Sequence, residues 1–473
     1  MIKFGTGGFR GIIGDDFNKE NIQTIAQAFS DVFHEKGSTK PVAIGYDNRF
    51  MSDFAAKWFA EVLMGNDIPV ILTSTSVPTP LVMMIVRDKD LDYGFTMTAS
   101  HNPYIYNGVK PFIKGGMDAD EAFTSMLEER IAETKDVKAL PFSQGENSGL
   151  LRTLDYIKTY VSCIETFLNP NAYHSSLKIL FNNLNGVGAR SILPLAKNLD
   201  FAKFDALNVE HDAFFSFAEP NPTRENMMGE FRNKVLEGHY DIGMAVDSDA
   251  DRLGIIDEKG NYVDANEIMA CLYYGLVKLR GLKGDIVKNV ATSTLIDGVA
   301  SSFGYRCIET DVGFKHISAA IKEHDALLGG ESSGGLTVRG YLYGKDSSFS
   351  GALFLNLIAA MKKPVSEVVK EVKEFAHYHH EFVESAALFD GDPQKMMSYI
   401  ESHDHPFETP CLQKERIGNN IRFWFADNCF LLIRLSGTEK KFRVFAEMED
   451  ESSAKRSIAS LKDFIAEAEK ASK

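Results

Sequence analysis

The chain is poor in several features that mark common kinds of protein. Its 473 residues include five cysteines, at 163, 271, 307, 411 and 429, and no CxxC spacing. That scatter and odd count argue against a disulfide-framed fold or a thiolate zinc site, and fit free thiols in a reducing cytoplasm. No apolar run reaches the ~18 residues of a membrane span. The longest candidate, ALFLNLIAAM, reads as a buried helix. The opening MIKFGTGGFRG lacks the apolar stretch of a secretory leader. Basic residues are outnumbered as well: the net charge of −15 leaves nothing in the bulk field to attract nucleic acid or an anionic membrane. A small anionic ligand would have to be met by cations gathered locally.

What is present is a globular composition, 44% hydrophobic and 25% charged, over a length that implies several domains. Three segments repeat one order of elements. PVAIGYDNR, LKILFNNLNGVGAR and DIVKNVATST each begin as an apolar strand that runs into a polar loop and a helix. Later in each unit a second short strand enters a loop of small and polar residues: DYGFTMTASHNP, YDIGMAVDSDADR and HDALLGGESSGG. This alternation implies three similar α/β domains with mixed, largely parallel sheets, and ligands beyond the carboxyl ends of their strands. Boundaries near 150, 256 and 372 give domains over 1–150, 151–256, 257–372 and 373–473. The last is a smaller α+β unit with strands around RLSGTEKK and a closing amphipathic helix, SAKRSIASLKDFIAEAEK. All four are expected around one central cleft.

Four loops carry chemistry. In TASHNPYIYNGVK a turn needs Asn-Pro but neither Ser100 nor Lys110. No GxSxG elbow surrounds Ser100, and adjacent Ser-His side chains diverge on extended backbone. An activated Ser100 would therefore be a phosphorylated one, whose charge needs cations beside it. In VDSDADR, Asp247, Asp249 and Asp251 alternate after a buried strand, followed by Arg252; oxygen donors of this kind suit Mg²⁺. Without a cation, two such charges ~4 Å apart repel by about 4 kcal/mol at an effective dielectric near 20. GGESSGG offers Glu331 and Ser333 as partners for vicinal hydroxyls, with Lys345 and Asp346 shortly after. RLSGTEKKFR collects Arg434, Ser436, Gly437, Thr438 and Arg443 into a phosphate cradle. The histidines of HYHH (377, 379, 380) and HDH (403, 405) are expected on linker or helix surface rather than on a metal.

In this order and spacing the loops, with FGTGGFRGIIGDDF at the start, resemble the α-D-phosphohexomutase superfamily, in particular its bacterial phosphoglucomutase/phosphomannomutase branch, over nearly the whole chain. The resemblance implies a catalytic phosphoserine at Ser100 accompanied by His101. It implies Mg²⁺ on Asp247, Asp249, Asp251 and the phosphoserine oxygen. It makes Arg10, Lys110 and Lys345 active-site cations, with Lys110 a candidate general base, and adds Arg252 and Lys315 to the substrate site. Glu331 and Ser333 would contact sugar hydroxyls, while Arg434, Ser436, Gly437, Thr438 and Arg443 would hold the phosphate that is not transferred. The implied activity interconverts hexose 1-phosphate and 6-phosphate of glucose or mannose through a hexose 1,6-bisphosphate, with a last domain that moves as a hinged body. Sugar phosphates would be the partners, without nucleic acid or membrane, in a cytoplasmic monomer or homodimer. Many relatives end the sugar loop in histidine where this chain has Gly335, which points toward glucose or mannose and leaves one acid/base role unassigned. The residues also admit a phosphoglucosamine mutase, an aspartyl-phosphate phosphatase or mutase acting through Asp247, or a non-catalytic sugar-phosphate sensor.

Overall fold

The computed structural model describes residues 2–5, 7–436 and 440–472. Four sheets follow one another along the chain. In the first, strands Val42–Tyr46, Val70–Thr73 and Tyr93–Met97 run parallel, and Tyr106–Ile113 returns antiparallel against Tyr93–Met97. Gly8–Ile12 then pairs antiparallel with Tyr106–Ile113. Strand Leu151–Leu154, beyond the boundary drawn at 150, joins this sheet parallel to Val70–Thr73. The second sheet places Ile242–Val246 parallel to Lys178–Asn182 and antiparallel to Leu253–Ile256. The third repeats the scheme with Ile286–Asn289, Leu328–Gly330 and Leu336–Val338.

The expected kinship of the three domains is therefore present, with one addition. Each functional loop links a parallel strand to an antiparallel neighbour, so the sheets are mixed at the edge where the chemistry sits. Buried β-rich runs such as IGMAV and VAIGY form the inner strands, covered on both faces. The fourth sheet is wholly antiparallel, with Phe430–Leu435 and Lys441–Met448 flanking the RLSGTEKK turn. Helices Pro393–Ser402 and Glu451–Ser472 pack on it.

ALFLNLIAAM lies in helix Ser347–Met361, buried on every side as far as Ile358, which is why its apolar residues show no stripe. Among the described residues no helix is long and apolar enough to cross a membrane. The polar PFSQGENSG, just before the boundary drawn at 150, forms the short helix Phe142–Ser148; Pro141 precedes it and Gly149, at φ 76°, ends it. His405 also departs from its expected surface position. Its ring stacks on Phe464 and its Nε2 meets Ser460.

The third and fourth domains meet through an apolar seam of Val290, Ala291, Phe430, Leu432 and Phe445. Beside it the Arg422 guanidinium donates two hydrogen bonds to Glu309, at 2.7 and 2.8 Å.

Candidate active site

Ser100 sits at the carboxyl end of strand Tyr93–Met97 in the left-handed backbone region, φ 47°. Its N–H donates to Thr98 Oγ1 (2.8 Å) and its side chain is buried. The Ser100 hydroxyl donates to Asp247 Oδ2 across the first and second domains, at 2.9 Å. His101 Nδ1 lies 3.4 Å from Ser100 Oγ.

Asp247, Asp249 and Asp251 converge so that one oxygen from each lies within 4.8 Å of the others. The loop reaches this shape because Asp247 Oδ1 accepts from the N–H groups of Asp251 and Arg252, at 2.8 and 3.0 Å. Ala250, at φ 60°, supplies the sharp bend. Thr79, at the start of helix Thr79–Asp88 in the first domain, donates to Asp249 Oδ2 at 2.8 Å. Asp249 Oδ1 and Asp251 Oδ1 are buried and have no hydrogen-bond partner among the described residues. Two orphaned carboxylate oxygens beside a third carboxylate and a hydroxyl form a hard-donor set that fits Mg²⁺.

The electrostatics agree with that demand for positive charge. Burial, together with Asp249 and Asp251, pushes the Asp247 carboxyl well above its ordinary range. Burial opposes the charge on Asp251 too, but Lys345, Lys110 and Arg252 outweigh it and hold that carboxyl well below the usual range. Lys110 and Lys345 reach Asp251 Oδ2 at 3.0 and 3.5 Å. Burial works against the Lys110 ammonium, yet Asp118, Asp251 and Asp249 shift it upward overall, which favours its charged form. His101 is held neutral: burial, then Arg252 and Arg10, lower it well below its ordinary value. Arg10, on strand Gly8–Ile12, bonds Asn102 in the serine loop, and burial followed by Arg252 lowers it to about 10.

Glu331 accepts from Ser333 Oγ (2.7 Å) and Asn289 Nδ2 (3.1 Å), and Lys345 Nζ stands 3.9 Å from it. Lys345 thus links the Asp247–Asp251 loop to the loop of Glu331 and Ser333. Arg434 lies in register with Arg443 on the fourth sheet. Burial lowers the Arg434 guanidinium, and the nearby Glu331 carboxylate opposes that shift. A continuous polar path therefore runs from Ser100 through Asp251, Lys345 and Glu331 to the vicinity of Arg434. Arg443 bonds Glu384 (2.9 Å), and the Ser436 N–H closes the turn onto Lys441. Gly437 and Thr438 lie outside the described residues. Lys315 pairs with Glu121 of the first domain at 2.5 Å.

The sequence reading passed over one set of residues here. Asp47, Asn48 and Arg49, at the end of strand Val42–Tyr46, are buried beneath the serine loop. Asp47 accepts from Thr98 Oγ1 and Ser52 Oγ, each at 2.7 Å. Asn48 Nδ2 donates to the Asn185 and Gly186 carbonyls of the second domain. The available signal was a polar trio at a strand end, GYDNR, the same pattern that marked the other loops.

Fold and site together define a protein of three kindred α/β domains and a fourth, antiparallel one, with Ser100 and an acidic trio meeting across the first two. Models of phosphoglucomutase/phosphomannomutase α/β/α domains I, II and III match residues 1–138, 155–260 and 264–375. The chain belongs to this family, within the α-D-phosphohexomutase superfamily. It is 27% identical over 458 residues to a phosphoglucomutase/phosphomannomutase of Thermococcus kodakarensis, covering 96% of each chain. It is 28% identical over 466 residues to a phosphoglucosamine mutase of Clostridioides difficile, covering 98% of each. A crystal structure of a phosphoglucomutase/phosphomannomutase family protein from Burkholderia thailandensis shares the fold, with TM-score 0.84 and 21% identity over 100% of this chain and 99% of that one.

Proposed function

We propose that the protein interconverts hexose 1-phosphates and hexose 6-phosphates by carrying a phosphoryl group on Ser100, with glucose and mannose as the sugars. The observation that carries this reading is the 2.9 Å hydrogen bond from Ser100 Oγ to Asp247, within a trio whose other two carboxylates each keep a buried oxygen unpartnered.

In the forward direction the phosphorus–Oγ bond of phospho-Ser100 breaks as the free sugar hydroxyl attacks, and the product is a bound hexose 1,6-bisphosphate. The attacking hydroxyl gives up its proton and the departing Ser100 Oγ takes one up, an exchange that the neutral His101 ring beside Oγ would serve. Arg10 and Lys110 place positive charge along the transfer path. After the bisphosphate turns over, its other phosphoryl group passes to Ser100 and the sugar oxygen recovers a proton. Asp247, Asp249, Asp251 and Ser100 would hold Mg²⁺, which supplies positive charge to the phosphoryl oxygens. Glu331 and Ser333 would exchange their mutual bond for sugar hydroxyls. Arg434, Ser436, Gly437, Thr438 and Arg443 would grip the second phosphate, which presents the same anion in either sugar orientation. Lys315 would join them only by leaving Glu121.

The relatives carry both phosphoglucomutase/phosphomannomutase and phosphoglucosamine mutase names, so the sugar is decided by assay. Glucose, mannose, glucosamine and N-acetylglucosamine 1-phosphates should be compared with glucose 1,6-bisphosphate and Mg²⁺ present. Ser100→Ala should abolish turnover, and mass spectrometry of the active enzyme should find acid-stable phosphate on the Ser100 peptide. Full activity in that variant, or acid-labile phosphate on Asp247, would remove the reading.

A further inference from the structure

Arg49 is almost wholly buried beneath the serine loop, and its two Nη groups turn chiefly to main chain. Nη1 donates to the Pro103 and Tyr106 carbonyls, both at 3.0 Å. Nη2 donates to the Asn102 carbonyl at 2.5 Å and to the carbonyl of Ser100 itself. One planar fork thus takes four carbonyls of a single loop, a task that a lysine ammonium with three donors on a point charge cannot repeat.

The fork is itself fixed from two sides. Its Nε lies 3.4 Å from Asp47 Oδ2, and its face lies 4.9 Å from the ring centre of Phe215 in the second domain. Phe215 is seated by three consecutive left-handed residues, Phe215, Ser216 and Phe217, at φ 50°, 53° and 59°. Such a run of non-glycine residues persists only where surrounding contacts over-determine it. Ser248, between the acidic residues 247 and 249, donates to the same Ser100 carbonyl.

We propose that Arg49 is the positioning residue of the phosphate carrier, with Phe215 as its brace. By holding the Ser100 carbonyl and those after it, Arg49 maintains the left-handed backbone that aims Oγ at Asp247. The proposal rests on the reading of Ser100 as phosphate carrier.

The test compares R49K, F215L and S100A on glucose 1-phosphate with glucose 1,6-bisphosphate and Mg²⁺, alongside thermal unfolding. R49K should lose about 10²-fold in kcat, the scale of a ~1 Å misplacement, with KM within about threefold. Phosphate incorporation into Ser100 from glucose 1,6-bisphosphate should slow by the same factor. F215L should lose roughly threefold to tenfold in kcat at unchanged KM. R49K that unfolds at lower temperature yet keeps wild-type kcat and phosphorylation rate overturns the proposal. If R49K does not fold, wild-type kcat in F215L overturns it. S100A at wild-type turnover would instead remove the phosphate-carrier reading, whereas an inactive S100A beside a fully active R49K removes the positioning role alone.

Discussion

Gly335 ends the GGESSGG loop, and its surroundings give a substitution there a calculable effect. A Cβ built there would lie 2.1 Å from Lys345 Cδ and 2.4 Å from its Cγ, nearer than real Cβ contacts come. Gly335 is not in the left-handed region, so alanine adds no backbone strain and the consequence falls on the lysine stem. The stem can swing away, but its Nζ must then leave Asp251, 3.5 Å off, and Glu331, 3.9 Å off. At an effective dielectric near 20, a charge pair at that first distance is worth about 5 kcal/mol, and doubling the separation removes about half. Gly335→Ala should therefore cost about 2 kcal/mol of transition-state binding, roughly 30-fold in kcat/KM. Lys345→Ala should cost at least as much. Because both act through one ammonium, the double variant should match Lys345→Ala alone. Steady-state kinetics on glucose 1-phosphate for the four members of the cycle decide it. Additive losses, or a wild-type Gly335→Ala, would refute the coupling.

Chelation with EDTA should stop turnover and lower the thermal midpoint, with Mg²⁺ restoring both, since the cation binds the folded acidic trio and offsets its repulsion. Burial, opposed by hydrogen bonds from Tyr160 and Tyr341, raises Asp346 from 3.8 to about 6. Between those values the folded state binds more protons than the unfolded one, so this group's stabilising contribution falls as pH rises from ~4 to ~6, by up to roughly 3 kcal/mol; urea midpoints should show that slope in the wild type and lose it in Asp346→Asn. Arg422→Leu breaks the paired bonds to Glu309, which is 30% exposed, and should weaken the seam to the fourth domain by about 2 kcal/mol, seen as earlier proteolysis near residues 376–381. Glu121→Gln should leave stability within about 0.5 kcal/mol, because that carboxylate is 84% exposed in its pair with Lys315; a larger loss by urea unfolding would make the pair a true interdomain latch.

The domain kinship and the chemical loops were legible because both leave local marks. A strand of five or so apolar residues ending in Asp-x-Asp-x-Asp, or in Ser-His-Asn-Pro, is a short-range pattern that the sheet edge then places. The cross-domain bonds that assemble the site leave no such mark. Thr79 reaches Asp249 across 170 residues, and Ser248 reaches the Ser100 carbonyl across 148. Their residue types are ordinary for a helix start and a turn, so only three-dimensional proximity distinguishes them. Lys315, expected at the site from the family resemblance alone, pairs with Glu121 of the first domain, a contact that no local pattern announces. The Asp47–Asn48–Arg49 turn lies between these cases. Its pattern at the end of a buried strand matches that of the three chemical loops, but its charges are mixed, so it carries no repulsion demanding a cation. What separates it from a solvated turn is exposure of only 2%, 7% and 3%. Three polar side chains hidden to that degree need partners, and here they are the serine-loop carbonyls for Arg49, the Thr98 and Ser52 hydroxyls for Asp47, and second-domain carbonyls for Asn48.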